Sequence, residues 1–403
     1  MSNSLLTIDE ITLEALRLAH EKASFLGTIN RQFDDSFGRS DGKIGDTLRI
    51  RLPSQYVRRK GSRVMDVQDA TEQKTSLVVA TQDGVDMRFN SRELKLDLQN
   101  FSKVHLEPAM AILISGIESD VLQGVTKQVW NTTGIAGTVI NDLLATGNAR
   151  AKMNQNLAPK DGNRNVQLDS VTSATMVNAL KGLFQDSTQI KEQYREGMLG
   201  RTAMADFYEN ERTWALANAS NVTGQTLNSV TLANGTTSIA VSGGTVTPTV
   251  GQVFTLSGVF AVHPETKAAF ANLQQFVVGA GSTASTLQIT PAIFITGAQK
   301  NVSDSTGADL VPAAVQTAAL TYWGSASTSY QQNLMYHKDA FTFATADLPL
   351  QAGAQQCVIR QFDGISLRVW QAPDIRNDEL LTRLDILYGY AAIRPQWACR
   401  ISN

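Results

Sequence analysis

The stretch from His105 to Trp130 constrains the fold of this chain more than any other segment. Its apolar residues recur at steps of three and four, which is the spacing of one face of an α-helix. These residues are Met110, Leu113, Ile114, Ile117, Val121, Leu122, Val125 and Val129. Pro108 suits the first helical turn, because the N–H that it lacks would have no partner there. Glu118, Asp120 and Lys127 interrupt the stretch, so it does not resemble a membrane span. The pattern predicts a helix of roughly 36 Å; taken alone, it could be a core helix of any globular protein.

A second helix is predicted near the N-terminus. Thr7 and Glu10 are spaced as in a capping box, and apolar residues continue to about Ala23. Asp9, Glu10 and Glu14 lie near the start of this helix. They either complement the helix dipole or form an acidic patch for a basic partner.

The region between residues 46 and 80 is predicted to be a two-stranded arm. Leu48, Ile50 and Leu52 alternate with polar residues, and 77–80 is a returning apolar run. An isolated pair of strands is only marginally stable in water, so the arm is expected to lie on another subunit. The polar tip between the strands contains a basic cluster: Arg58, Arg59, Lys60 and Arg63. This cluster is either a solvated surface or a set of intersubunit salt bridges. A nucleic-acid patch is less favoured, because Tyr56 is the only aromatic residue beside it.

The composition changes abruptly in the middle of the chain. Residues 213–264 contain no Asp, Glu, Lys or Arg, and alternating apolar residues at 237–241, 252–256 and 286–290 indicate short strands. Asn234-Gly235 and Gly243-Gly244 are typical of hairpin turns. These features predict a compact all-β module of the barrel or sandwich kind. Charged, mixed sequence flanks the module on both sides, which indicates that it is inserted into a parent domain.

The parent sequence contains further predicted elements. A helix begins at Asp169, and 201–214 is predicted as strand and turn followed by a short helical piece. The segments 365–370 and 381–390 resemble strands.

The sequence contains no pattern typical of catalysis. Its four histidines lack metal-ligand spacing, and no phosphate-binding glycine loop or nucleophile elbow is present. We therefore predict no catalytic, metal or cofactor site. Cys357 and Cys399 match no redox or metal spacing and are expected to be reduced, buried thiols. The formal net charge of −2 does not favour strong nucleic-acid binding. No signal peptide or transmembrane segment is recognisable, so a cytoplasmic product is expected.

The order of these parts resembles the major capsid protein of tailed double-stranded DNA bacteriophages, and in particular the coat proteins of short-tailed Salmonella phages. The run Leu381 to Pro395, with Tyr388-Gly389 and Arg394-Pro395, is similar to the closing strands of that family. Segments 251–260, 276–278 and 287–291 resemble the core of the family's inserted β domain. The resemblance implies an α+β Hong Kong 97-like capsid fold with an inserted all-β barrel or Ig-like domain.

The resemblance also implies a domain organisation. Residues 1–45 would form an N-terminal arm with a helix, and residues 46–80 would form an extended loop. Residues 81–133 would form a peripheral domain with a spine helix, and residues 134–221 would form the first part of an axial domain. The inserted β domain would comprise residues 222–335, and residues 336–403 would complete the axial domain and form the closing peripheral strands. The spine helix would include Pro108 in its first turn, followed by Leu113, Ile117, Val121 and Val125. Its polar residues Glu118, Asp120 and Lys127 would meet solvent, DNA or neighbouring subunits. The turn at 232–237 is short and uncharged where relatives can have a charged inter-capsomer loop.

By this resemblance the protein is not an enzyme but a structural subunit of pentamers and hexamers in an icosahedral head. It would be assembled in the host cytoplasm as a procapsid that expands on DNA packaging. The implied partners are further copies of the chain, a scaffolding protein at Asp9, Glu10 and Glu14, a portal protein, and packaged double-stranded DNA as a non-specific neighbour, with no membrane. Two alternatives are an encapsulin-like bacterial compartment and a phage tail or decoration protein.

Overall fold

The computed structural model describes most of the chain. The described residues are 12–17, 24–31, 47–59, 61, 65, 67, 73–90, 105–180, 200–202, 204–220, 224–228, 232–350, 356–362 and 365–403.

Strands outnumber helices among the described residues. The strands are β1 (Thr47–Leu52), β2 (Gln73–Val78), β3 (Thr81–Asn90), β4 (Thr132–Thr133), β5 (Arg164–Leu168), β6 (Arg201–Thr202), β7 (Ala205–Glu209), β8 (Trp214–Ala217), β9 (Thr226–Leu227), β10 (Thr236–Ser242), β11 (Val253–Val262), β12 (Ala269–Val278), β13 (Thr286–Ile293), β14 (Val302–Ser303), β15 (Leu320–Tyr322), β16 (Ser329–His337), β17 (Phe341–Ala346), β18 (Gln356–Phe362), β19 (Ile365–Asp374), β20 (Glu379–Ala392) and β21 (Ala398–Ser402). The helices are α1 (Glu107–Thr126), α2 (Leu143–Gln155) and α3 (Ser170–Leu180), and 12–17 is also helical. Short 3₁₀ turns lie at Leu26–Thr28, Pro312–Ala314, Lys338–Ala340 and Pro395–Trp397.

The chain divides into two units that each combine distant segments. The first contains residues 1–50, 75–121 and 341–393, and the second contains residues 51–74, 122–340 and 394–403. The two-stranded sheet β1–β2 is made by the arm predicted at 46–80.

The first unit is built on a five-stranded antiparallel sheet centred on β20. This strand pairs with β3 along Glu379–Tyr388, with β19 along Glu379–Asp385, and with β17 along Leu387–Ala392, while β18 pairs with β19. Along β20, exposed and buried residues alternate from Leu381 to Leu384, and the residues after Leu384 are almost all buried. Phe343 of β17 stacks on Tyr388 with ring centroids 5.8 Å apart.

The second unit contains two seven-stranded sheets. The first has the order β4-β21-β16-β5-β7-β6, with β8 also paired to β16. Helix α2 packs on this sheet through Ala149 and Met153, which cluster with Met335 and Cys399. Each helix beside the sheet begins at an aspartate cap: Asp142 accepts from Leu144 N at 3.1 Å, and Asp169 accepts from Thr172 N at 3.2 Å.

The other sheet of the second unit is formed by the charge-poor middle of the chain. Its order is β14-β11-β12-β13-β10-β9, with β15 also paired to β11. We call the sheet β9–β15 the inserted module. Its own apolar core contains Phe254 and Phe276, whose rings stack at 5.8 Å, together with Leu256, Ile289 and Leu320. A module with a core of this kind can be stable although its strands contain almost no charged residues.

Some of the observed strands and helices were predicted from the sequence and others were not. β1, β10, β11 and β13 contain strands that were predicted from alternation, whereas β12 and α2 were not predicted. The short helical piece predicted at the end of 201–214 is wrong, because Glu211 and Arg212 form a turn and Trp214 begins strand β8, which pairs with Ser329–Gln332 of β16. The backbone hydrogen bonds that β16 offers determine the conformation of Trp214–Ala217 more than the intrinsic helix or strand propensity of these residues does.

Gly389 allows two strands of the first unit to approach closely. A Cβ atom at this position would lie 2.2 Å from Val78 O and 2.8 Å from Val79 Cα, and both neighbours are backbone atoms that cannot move independently. Position 389 therefore requires glycine for steric reasons.

We predict that Gly389→Ala destabilises the unassembled subunit by about 2–3 kcal/mol, the usual cost of overpacking a core. Thermal unfolding of the purified subunit would measure this change. The control is Gly116→Ala in α1, where a Cβ atom meets nothing within 4 Å. That substitution should stabilise by up to about 1 kcal/mol, because alanine is the better helix former. Equal melting temperatures for the two variants would contradict the steric explanation.

Candidate assembly surfaces

The arm exposes both apolar and basic side chains. Residues 53–59, which follow β1, form no regular secondary structure, and Tyr56 and Val57 are 60% and 40% exposed. Met65 and Val67 are 84% and 75% exposed. Arg58 and Arg59 are also exposed, whereas Lys60 and Arg63 lie outside the described residues. Several large apolar side chains in so short a segment are typical of a contact surface rather than of a surface that stays in water.

Helix α1 buries one face and exposes another. Leu113, Ile117, Val121 and Val125 are buried at 4% exposure or less, and Pro108 is exposed in the first turn. Ile112, on the opposite side, is 69% exposed. The periodicity of the sequence thus locates the buried face, and Ile112 is left as an apolar residue open to contact.

Glu118 requires a correction, because it does not lie on a solvent-facing side of the helix. Its side chain is fully buried. Oε1 accepts hydrogen bonds from Phe25 N at 2.7 Å and Ser24 Oγ at 2.8 Å, and Oε2 accepts from Ser24 N at 3.2 Å. A buried carboxylate is tolerated only when such donors replace water. Glu118 therefore anchors the segment beginning at Ser24 to α1.

The other two charged residues of the helix have different surroundings. Asp120 is exposed, and its Oδ2 accepts from the hydroxyl of Tyr388 at 2.9 Å. Burial, followed by the Asp120 carboxylate, raises the pKa of Tyr388 above its usual value. Lys127 is half-buried, with Nζ 5.2 Å from the ring centroid of Trp214. Of the three residues, Asp120 alone is exposed as expected.

The acidic residues proposed to contact a scaffolding protein are only partly described. Asp9 and Glu10 lie outside the described residues. Glu14 forms a two-point contact with Arg17, whose NH2 and Nε lie 2.7 and 2.9 Å from the carboxylate. Part of the charge of Glu14 is therefore neutralised within its own helix.

Arg400 holds the inserted module to the sheet of the parent domain. Its guanidinium is fully buried, and NH1 donates to Gly251 O at 2.6 Å. Burial lowers the pKa of Arg400 to about 9 and raises that of the neighbouring Cys399 thiol to about 11. Gly251 is necessary at this point, because its φ is +95° and a Cβ atom would lie 2.8 Å from the Trp214 ring. Cys399 is buried as expected, but Cys357 is only half-buried; both are free thiols.

The turn at 232–237 is fixed within the inserted module. Asn234 Oδ1 accepts from Ile295 N at 2.8 Å and from Thr296 N at 3.2 Å, and Asn234 Nδ2 donates to Thr296 Oγ1 at 2.9 Å. Gly235 has the positive φ of +83° that this tight turn requires. The turn is therefore compact and presents no charged side chain.

A groove of about 280 Å³ lies on the first unit's sheet. Met87, Trp370, Ala372 and Leu381 form its apolar lining, and the ion pair of Asp86 with Arg383 borders it. The hydrogen bond from Arg383 lowers the pKa of Asp86. The lining includes no nucleophile paired with a base, so the groove does not indicate catalysis.

The described part of the chain contains no cluster of three or more His, Cys, Asp or Glu residues that could hold a metal ion. Among the helices that the structure describes, none is both long and apolar enough to cross a membrane.

Sequence reasoning missed the buried role of Glu118, although a signal was present. Glu118 lies four residues after Ile114 and three before Val121, within the apolar stripe of α1. A charged residue inside such a stripe indicates a specific partner. No comparable pattern marks Arg400, because its partner is a backbone carbonyl distant in sequence.

The comparisons with known proteins define the class of this protein. Residues 38–399 match the family model described as P22 coat protein, gene protein 5. The match covers nearly the whole chain and identifies a viral coat protein. The chain belongs to the P22 coat protein family. No curated protein sequence matches it.

Several solved structures are similar to the chain at low identity. One from Mycobacterium phage Che8 has 10% identity and a TM-score of 0.47, and the match covers 94% of this chain and 90% of that one. The capsid of an empty GTA particle has 8% identity and a TM-score of 0.45, with 94% and 90% covered. The mature capsid of bacteriophage PhiM1 has 11% identity and a TM-score of 0.44, with 90% and 82% covered.

Family membership confirms the main sequence predictions. The protein is a structural, non-enzymatic major capsid protein of the tailed phages, it forms an icosahedral shell, and it is a component of the virion capsid. The described residues combine helices and strands, as the predicted α+β class requires.

We predict that Glu118→Ala releases the segment beginning at Ser24 from α1. The loss of both acceptor oxygens leaves buried donors unpaired, at a cost of roughly 2–4 kcal/mol. Hydrogen exchange at the Phe25 amide should accelerate strongly. Glu118→Gln is the matched control, because it keeps Oε1 and should retain most of the protection. Unchanged exchange in the alanine variant would show that Glu118 is not the anchor.

Proposed function

We propose that this coat protein builds pentamers and hexamers in which the arm of each subunit lies on its neighbour. The observation that supports this most is the exposure of Tyr56, Val57 and Met65 beside Arg58 and Arg59. Rings of identical subunits need heterologous contacts, in which a surface of one copy meets a different surface of the next. An arm with exposed apolar and basic side chains supplies such a surface.

We propose that residues 46–80 form the intersubunit loop, with 1–45 as the N-terminal arm. Residues 81–133 would form the peripheral domain, and 134–221 with 336–403 would form the axial domain and the closing peripheral strands. The inserted β domain would extend over 222–335. The separate core of the strands between residues 226 and 322 supports this last assignment.

The assembly pathway is proposed to use a scaffolding protein that docks on the acidic N-terminal helix. Asp9 and Glu10 are the stronger candidates, because Arg17 partly neutralises Glu14. Assembly would take place in the host cytoplasm around a portal protein and give a procapsid that expands on packaging. Double-stranded DNA would be a non-specific neighbour, since a net charge of −2 does not favour tight binding.

Charge reversal in the arm tests the intersubunit contact. Arg58→Glu with Arg59→Glu should leave the subunit folded and reduce the yield of closed shells at least tenfold, because like charges then meet or salt bridges are lost. Negative-stain microscopy and sedimentation would measure shells against free subunits. The control, Arg58→Lys with Arg59→Lys, keeps the charge and should assemble. Normal shells from the glutamate variant would exclude these two residues from the contact.

Charge reversal in the N-terminal helix tests the scaffold contact separately. Asp9→Lys with Glu10→Lys should abolish procapsids when the chain is co-expressed with its scaffolding protein. Glu265→Lys, at an exposed site in the inserted module, is the matched control and should have no effect. Normal procapsids from the double variant would contradict the proposed docking site.

A further inference from the structure

The side chain of Gln275 makes a contact that normally belongs to a β-strand. Thr132 lies in β4, the strand at one end of the parent sheet. Its N–H donates to Gln275 Oε1 at 2.9 Å, and Gln275 Nε2 donates to Thr132 O at 3.2 Å. Two hydrogen bonds in opposite directions to one residue are the pattern of an antiparallel hydrogen-bonded pair. The amide of Gln275 therefore occupies the place of a further strand.

Lys152 of α2 also binds to the oxygens of this contact. Its Nζ donates to Thr132 O at 2.6 Å and to Gln275 Oε1 at 2.5 Å. Both acceptors are neutral, and burial lowers the pKa of this lysine. Among the described residues, the half-buried ammonium group of Lys152 donates only to these two oxygens, which makes the position of the Gln275 side chain specific.

Apolar packing beside this contact does not by itself fix an orientation. Trp130 clusters with Val253, Val277 and Trp323 of the inserted module and the segment that follows it. Such contacts favour close approach but tolerate small rotations, since the hydrophobic effect is not directional. Hydrogen bonds weaken steeply when their angles change.

We propose that Gln275, supported by Lys152, is a positioning residue that sets the orientation of the inserted module on the parent sheet by completing the end strand β4. The contact also covers the outward N–H and C=O of Thr132, which would otherwise be open to pairing with another chain. The orientation of the module in the shell then depends on this amide side chain together with the hydrogen bond from Arg400 to Gly251 O.

The test uses the full chain with Gln275→Leu, which keeps the size of the side chain and removes both polar atoms. Hydrogen exchange of the segment around Thr132 should accelerate at least tenfold in the unassembled subunit. In assembled shells, cryo-electron microscopy should show the density of the inserted module blurred relative to the parent sheet. The control is Gln288→Leu in β13, a half-buried glutamine of the same module away from this contact; it should change neither measurement.

A second variant separates positioning from general stability. Gln275→Glu keeps an acceptor for Thr132 N and for Lys152, and loses only the donor to Thr132 O. It should retain the protection of the Thr132 amide and the sharp density of the module. If Gln275→Leu does not fold, the test rests on Gln275→Glu. In that variant, hydrogen exchange of the Thr132 amide as fast as in an unfolded segment would overturn the proposal. Wild-type exchange and a sharply oriented module in Gln275→Leu would also overturn it.

Discussion

The buried carboxylate of Glu118 ties the N-terminal segment to helix α1 in the first unit of this coat protein. Glu118 lies in the apolar stripe of α1, where an unpaired charge would be strongly unfavourable, and its oxygens are satisfied by donors of Ser24 and Phe25. The chain leaving this anchor reaches β17 at once: Asn30 N donates to Phe341 O at 3.3 Å, and Phe343 N donates to Asn30 O at 3.0 Å. Helix, N-terminal segment and sheet are thus joined through a few directional bonds.

In the second unit, the inserted module has an apolar core of its own and must be attached to the parent sheet. The apolar cluster of this module lies within its own strands and does not by itself position the module on the parent sheet. Its attachment combines an apolar cluster around Trp130 with hydrogen bonds to Thr132 and from Arg400. Burial of the Arg400 guanidinium is unfavourable, and it lowers the pKa of this group to about 9. The hydrogen bond to Gly251 O offsets part of this unfavourable free energy. A shell subunit benefits from this rigidity, because repeated contacts require every copy to present the same surface.

The sequence predicted local patterns well and long-range partners poorly. Periodicity located the buried face of α1, and alternation located β1, β10, β11 and β13, because both signals arise from burial on one side of an element. The order of parts was enough to indicate the capsid family. By contrast, the partners of Glu118 and Gln275 lie 93 and 143 residues away, and no local pattern encodes such pairs. Strand β8 was missed for the same reason: its conformation depends on the ladder that β16 offers.

The exposed arm is proposed to be an assembly surface, and its contacts in a closed shell test that proposal directly. In the isolated subunit Tyr56 is 60% exposed. A cryo-electron microscopy map of closed shells at side-chain resolution would show where this residue lies after assembly. We expect Tyr56 and Val57 to be buried against a neighbouring subunit. An arm that folds back on its own subunit, or remains in solvent in the closed shell, would contradict it.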